Sequence, residues 1–283
     1  MIPLGFDYVR ARTLNDAFKA LAGRDVKVVA GGHSLIPMLK LRLAQPTTLV
    51  DIAHLKELRG IQDQKGGARI GAATTYRELL ASALLKKRYP LIAEMTEGIG
   101  DLQVRNRGTI GGGLAHADPA SDMPAAMLAL DATFNLRSKT GKRSVKVAGF
   151  FKGAFETAMK RGELMIEVTL PPPPKGAGMA YECFEQLASG YPMAAAAAVV
   201  TSNGGTIKSC SLALTGVADH AFLVPAESLV GGKGEAETVA RVVDAALAGI
   251  DVNSDIHCPA DYRRHLARVA AERAVQHALQ RVA

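Results

Sequence analysis

Four consecutive prolines, Pro171–Pro174, follow the apolar run "ELMIEVTL" of residues 163–170. Proline lacks an amide hydrogen and fixes φ, so such a run fits neither a helix interior nor the middle of a sheet. It favours an extended polyproline segment with no internal hydrogen bonds. The run therefore divides the 283-residue chain into a longer part, residues 1–172, and a shorter part, residues 176–283. Two domains suit that length.

Helix and strand signals alternate in the first third. Leu14, Ala17, Phe18 and Leu21 recur at helical spacing behind Thr13, a plausible N-cap. "VKVVA" (26–30) and "TTLVDI" (47–52) read as strands rich in β-branched residues. "LIPMLKLRL" (35–43) reads as a helix that tolerates Pro37 in its first turn. After residue 60 the pattern changes. "ARIGA" (68–72) is a short strand, and Thr75 with Glu78 forms a capping signature for a helix over 76–83. Leu91, Ile92, Met95 and Ile99 mark one face of a second helix. "ATFNLRS" and "KRSVKVAG" look like strands joined at Lys139–Gly141, and "ELMIEVTL" is another strand. Beyond the prolines, "MAAAAAVVTS" and "TIKSCSLALTG" flank "NGG" as a hairpin. Alanine favours helix, but Val199, Val200, Thr201 and the turn signal decide for strand. Helices over 234–249 and 260–279 close the chain.

Composition excludes several classes. No apolar run nears the ~18 residues that span a bilayer, and "MIPLGFDYVRARTL" lacks the apolar stretch of a secretory signal. A cytoplasmic protein without a transmembrane segment is expected. Net charge is +7, yet there is no Trp and only 5% aromatic residues, so nucleic acid is not the expected partner. The densest basic stretch, "DYRRHLARVAAERAVQHALQR" (261–281), interleaves acids and reads as a solvated helix face. Its alternative is a face for an acidic partner. Cys183, Cys210 and Cys258 are widely spaced and form no C-x-x-C, so no metal site is expected, and they read as small buried hydrophobes.

Two glycine-rich stretches carry the chemistry. "VKVVAGGHSLIPM" (26–38) ends a strand at Gly31 and Gly32 and turns towards a helix. Backbone amides there lie open, and a helix N-terminus adds positive potential, which together suit phosphate. Ser34 can donate a hydroxyl or cap the helix, and His33 is a further donor. "VRNRGTIGGGLAHADPASD" (104–122) offers a second run of amides at Gly111, Gly112 and Gly113, with Thr109 as a hydroxyl donor. Asp122 suits a helix N-cap and Asp118 a turn before Pro119. Neither stretch is G-x-G-x-x-G, a P-loop or a nucleophile elbow. Two phosphate-gripping loops suit a dinucleotide. The residues alone do not say which.

"AGGHSLIPMLKLRL", "VRNRGTIGGG" and "ADPASDMPAAMLALDA" resemble the FAD-binding medium subunits of molybdenum hydroxylases, a family that includes carbon monoxide dehydrogenase medium chains and the flavin domain of xanthine dehydrogenase. The likeness runs over nearly the whole chain, from "FDYVR" to the "DYR" of the last helix. It implies an α+β architecture: a p-cresol methylhydroxylase (PCMH) type FAD-binding fold, with subdomains over about 1–55 and 56–172, and a C-terminal domain over 176–283 with an antiparallel sheet and helices. By the resemblance, Ala30, Gly31, Gly32, His33, Ser34 and Leu35 present amides to the pyrophosphate of FAD. Thr109, Ile110, Gly111, Gly112 and Gly113 form the second clamp, Asp122 hydrogen-bonds the cofactor, Tyr191 lies against the isoalloxazine, and Ile99 and Leu164 are apolar flavin contacts.

The resemblance also implies an electron-transfer subunit. Substrate would be oxidised at a molybdenum centre on a large partner, and electrons would pass through [2Fe–2S] clusters on a small partner to FAD and an external acceptor, in a dimer of heterotrimers. No catalytic side chain is implied, because the flavin carries the redox chemistry. The alternatives are a free-standing flavin oxidoreductase and a non-catalytic nucleotide-binding module. The sequence departs from the family at Gly113, where the clamp usually ends in asparagine, and at Gln186 and Gly190 beside Tyr191.

Overall fold

The computed structural model describes residues 1–283. Three short parallel strands form the first layer: β1 (Asp7–Arg10), β2 (Val26–Val29) and β3 (Thr48–Asp51), in the order β1-β3-β2. Helix α1 (Leu14–Ala20) starts at Thr13, whose hydroxyl accepts from the Asp16 amide while the Asp16 carboxylate accepts from the Thr13 amide. This reciprocal cap satisfies two otherwise unpaired donors. Leu14, Ala17 and Phe18 then pack on Val50 and Ile52. Helix α2 (Leu35–Lys40) leaves the C-terminal end of β2. All three strands therefore end at the edge where the first glycine stretch lies, the edge at which parallel sheets bind ligands.

The second layer is an antiparallel sheet of β4 (Ile61–Gln64), β5 (Gly67–Gly71), β6 (Thr133–Arg137), β7 (Lys142–Lys146) and β10 (Leu164–Leu170), ordered β4-β5-β10-β6-β7. A small ribbon, β8 (Phe151–Gly153) and β9 (Glu156–Thr157), precedes β10. Six short helices lie between β5 and β6: α3 (Tyr76–Ala81), α4 (Ala83–Arg88), α5 (Pro90–Gly98), α6 (Leu102–Arg107), α7 (Ile110–His116) and α8 (Met123–Ala129). Thr75 caps α3 together with Glu78, as its spacing predicts. The helix expected over 76–83 stops at Ser82, whose hydroxyl accepts from the Leu85 amide and starts α4.

The third layer, beyond the prolines, is an antiparallel sheet of β11 (Gly178–Glu185), β12 (Pro192–Asn203), β13 (Thr206–Thr215) and β14 (Phe222–Val224), in sequence order. Helices α9 (Ala236–Leu247) and α10 (Ala260–Gln280) cover one face. The other face joins α5 and α8 in one core: Ala195, Ala197 and Val199 pack with Leu91, Met95 and Met127, while Ala194, Ala196 and Ala198 face α10. This explains the alanine-rich strand. Both faces are buried by close helices, and small side chains let them approach. At Gly178 a Cβ would collide with the Ala278 carbonyl of α10. No helix is long and apolar enough to cross a membrane.

Two expectations are corrected. The last helix is not simply a solvated basic face. Arg263 is 3% exposed and donates to the carbonyls of Asn253 and Gly216 and to the Asp255 carboxylate. Nor are all three cysteines buried: Cys258 is, Cys210 is half-buried and Cys183 is exposed. On β11, Met179 and Tyr181 sit in the core, but the same face runs out beyond it at Cys183 and Glu185.

Candidate functional site

The turn from β2 into α2 holds a row of donors. None of the amides of Ala30, Gly31, Gly32, His33, Ser34 and Leu35 donates to a protein acceptor; the first bonded amide is that of Ile36, to the Gly32 carbonyl at 2.9 Å. Gly32 has φ +82°, a conformation that side chains disfavour. Gly31 is glycine for another reason: a Cβ there would strike the Arg107 carbonyl. The first stretch therefore packs directly on the residues that lead into the second. Ser34 is corrected as a cap. Its backbone is already helical and its hydroxyl makes no cap hydrogen bond, so the hydroxyl stays free.

The second stretch is built differently. Gly111, Gly112 and Gly113 lie inside α7, capped by Thr109. The Ile110 amide donates to Thr74, Gly111 to Ala72, Gly112 to the Thr109 hydroxyl and Gly113 to the Thr109 carbonyl. The expected second row of open amides is thus corrected: they are used by the helix and by the β5–α3 connection. The glycines serve close packing instead, since a Cβ at Gly111 would lie 2.5 Å from Ala72 Cβ. The Thr109 hydroxyl keeps its own proton for a ligand.

Asp122, Tyr76, Tyr181 and Tyr191 lie near one another beside the second stretch. Asp122 does not cap α8; its backbone is helical and its side chain makes no cap bond. It is 8% exposed and accepts the Tyr181 hydroxyl at 2.7 Å. Burial pushes its carboxyl up to about 6, the Tyr181 bond opposes this, and Glu185 adds to it. Burial and the Asp122 charge raise the Tyr76 and Tyr181 hydroxyls, so both remain protonated donors. Asp118 holds its expected turn, accepting the Ala120 amide at 2.9 Å. Tyr191 is 46% exposed and ends a tight turn: Gln186 accepts the Ser189 amide on its side chain and the Gly190 amide on its carbonyl, and Gly190 has φ +71°. The two departures from the family pattern, Gln186 and Gly190, thus build the loop that presents Tyr191.

A Cβ at Gly190 would approach the Gly100 backbone at 3.9 Å, so the turn also meets the loop after Ile99. Ile99 packs against the large core. Leu164 is buried in the small core with Phe18 and Leu58, the core against which Ala30 of the first stretch packs. Tyr76 and Tyr181 escape sequence reasoning. Only the Thr75–Glu78 cap pointed near Tyr76, and no local signal marks Tyr181. Six open amides suit the oxygens of a pyrophosphate, and the acidic and tyrosine-lined end suits a flat polar ring, so the residues fit FAD.

Comparison with known proteins agrees. Residues 4–173 match the FAD binding domain in molybdopterin dehydrogenase, and residues 179–278 match the CO dehydrogenase flavoprotein C-terminal domain. The chain is 39% identical to the carbon monoxide dehydrogenase medium chain of Hydrogenophaga pseudoflava, over 100% of both chains. It is also 39% identical to the glyceraldehyde dehydrogenase medium chain of Sulfolobus acidocaldarius, over 97% of this chain and 98% of that one. The solved carbon monoxide dehydrogenase of Hydrogenophaga pseudoflava superposes with a TM-score of 0.96 at 40% identity, over 100% of both chains. The chain belongs to the FAD-binding medium-subunit family of molybdenum hydroxylases. It is an oxidoreductase subunit whose cofactor is FAD.

Proposed function

We propose that this chain carries electrons between a metal-containing partner and an external acceptor. Substrate is oxidised at the molybdenum centre of a large subunit, electrons cross [2Fe–2S] clusters of a small subunit, and the three chains assemble as a dimer of heterotrimers. Bound FAD supplies the redox chemistry. This chain's residues hold and orient it: Ala30–Leu35 cradle the pyrophosphate, Thr109 adds a hydroxyl, Asp122 accepts a hydrogen bond and Tyr191 covers the ring. The observation that carries the reading is the row of six unbonded amides at residues 30–35, packed against Arg107 and Gly108 of the second stretch. No group of three or more His, Cys, Asp and Glu side chains gathers for a metal, so iron–sulfur ligands come from a partner. Equal identity to carbon monoxide and glyceraldehyde dehydrogenase medium chains supports placing substrate choice on the large subunit.

The test is substrate-dependent flavin reduction by the purified FAD-loaded chain, across carbon monoxide, aldehydes, purines and N-heterocycles. The isolated chain should accept electrons from a chemical reductant and from none of these substrates. Adding the large and small subunits should confer turnover with one substrate class. Rapid reduction by any of them without molybdenum would favour a free-standing flavoenzyme.

A further inference from the structure

Tyr76 opens α3 with its ring 7% exposed, wedged against Gly108 and Gly113 of the second glycine stretch. The other deeply buried tyrosines have partners: the Tyr89 hydroxyl donates to the Pro171 carbonyl at 2.6 Å, and that of Tyr181 to Asp122 at 2.7 Å. The Tyr76 hydroxyl is hydrogen-bonded by no protein group; burial first, and the nearby Asp122 carboxylate second, raise it. No fully buried side-chain oxygen or nitrogen in the protein lacks a partner. The Tyr76 hydroxyl is therefore not fully enclosed: it is the one tip of that buried ring with an open side. It stands where the side chain of residue 113 would project, because a Cβ at Gly113 would collide with the hydroxyl oxygen and with nothing else closer than 3.7 Å.

We propose that Tyr76 is a cofactor-positioning residue: its hydroxyl hydrogen-bonds the FAD held between the two glycine stretches, from the space that Gly113 leaves vacant. This rests on the FAD-cradle reading above. Burial keeps the hydroxyl protonated, so it acts as a donor. Gly113 is required for this arrangement, since any larger residue there displaces the phenol. The glycine at 113 and the tyrosine at 76 form one device, in which a side chain from α3 replaces the one that α7 lacks.

The experiment titrates the apo full-length chain with FAD, following flavin fluorescence and the visible absorption band, for the wild type and for Tyr76→Phe. Because the hydroxyl has no protein partner, Tyr76→Phe should leave the melting temperature of the apo chain unchanged. The FAD Kd should rise about 3–10-fold, the range of one lost neutral hydrogen bond. Gly113→Asn should weaken FAD in the wild-type background, where the new side chain strikes the phenol. In the Tyr76→Phe background, which leaves room and lacks the donor, it should recover affinity. That reversal of sign is not expected of two independent structural changes. Should Tyr76→Phe fail to fold, Gly113→Ala reads the same contact: weaker FAD binding is expected there, and an unchanged Kd overturns the proposal. Normal FAD affinity and spectrum in Tyr76→Phe, with FAD lost in Gly32→Val, would overturn the role of Tyr76 alone. A wild-type chain that fails to bind FAD would overturn the cradle itself.

Discussion

The Tyr181 hydroxyl reaches Asp122 at 2.7 Å, 59 residues away in sequence, and joins the C-terminal sheet to the start of α8. This buried bond fixes one oxygen of the Asp122 carboxylate. The carboxyl titrates near 6 in the fold, against 3.8 when unperturbed, chiefly because it is buried. A raised folded-state value means that the folded chain binds this proton more tightly than the unfolded chain. The stability contributed is full below about pH 4 and lost as pH rises through about 6, a cost of about 3 kcal/mol by neutral pH. Asp122→Asn keeps the acceptor for Tyr181 without the charge. Denaturant unfolding of the apo chains should show the two equally stable near pH 4 and the variant more stable at pH 7. A difference that stays constant with pH would show that Asp122 is not the titrating group.

Gly32→Val should strip the chain of FAD while leaving it folded. The residue sits at φ +82°, and a Cβ there would lie 2.7 Å from Ile36 Cδ1. A β-branched residue would have to leave that conformation, at about 1–3 kcal/mol if it stayed. Leaving it turns the neighbouring amides away from the pyrophosphate. Flavin absorbance per chain after gel filtration, with far-UV circular dichroism as the fold control, reads the outcome. Full flavin occupancy in a folded variant would remove the cradle from residues 30–35.

The glycine stretches and the element pattern were legible because their causes are local. A strand ending in glycines, a threonine three residues before a glutamate, and four prolines each act within one turn of chain. The cleft's other residues answer to distant partners. Tyr181 looks like any strand residue until β11, packed on α5, brings its hydroxyl to Asp122, and Tyr76 like a helix-start residue until Gly113 opens a place for its hydroxyl. "TIGGG" suggested open amides because glycine runs usually mark loops. Thr109 instead caps a helix that consumes those amides, and a threonine three residues before Gly112 was the available clue. Arg263 was misread with its basic neighbours because periodicity reports a helix face and not what descends upon it.

Arg263 shows what that misreading costs. Its guanidinium also donates to the Met193 carbonyl, at 2.5 Å, and so ties α10 to β12, to the end of β13 and to the 253–258 segment. Removing it takes the donor from the carbonyls of Met193, Gly216 and Asn253 and from one oxygen of Asp255, whose other oxygen keeps the His257 and Cys258 amides. Arg263→Ala should destabilise the chain by about 3–5 kcal/mol, the range for breaking a buried charged network. Arg264→Ala, one residue on and bonded only to the carbonyls of Leu247 and Ile250, should cost much less. Urea unfolding of both variants checks the contrast; equal losses would mean that burial of Arg263 does not set its contribution.

Tyr191 gives the sharpest test of how the ring of FAD is covered. Its side chain is exposed, while partial burial of its hydroxyl and the Asp118 and Asp122 charges hold the phenol protonated. The Gln186–Gly190 turn holds its backbone, so the ring is presented by a loop that does not depend on the phenol itself. Tyr191→Ala should therefore leave the stability of the apo chain nearly unchanged. It should weaken FAD by about 1–3 kcal/mol, taking aromatic stacking on a nucleobase as the guide. Tyr191→Phe, which keeps the flat face, should lose little. The flavin absorption envelope should change in Tyr191→Ala and not in Tyr191→Phe, because ring contact and not the hydroxyl alters the surroundings of the isoalloxazine. If both variants bind FAD with the wild-type spectrum and affinity, Tyr191 does not touch the ring, and the turn at Gln186 and Gly190 directs it elsewhere.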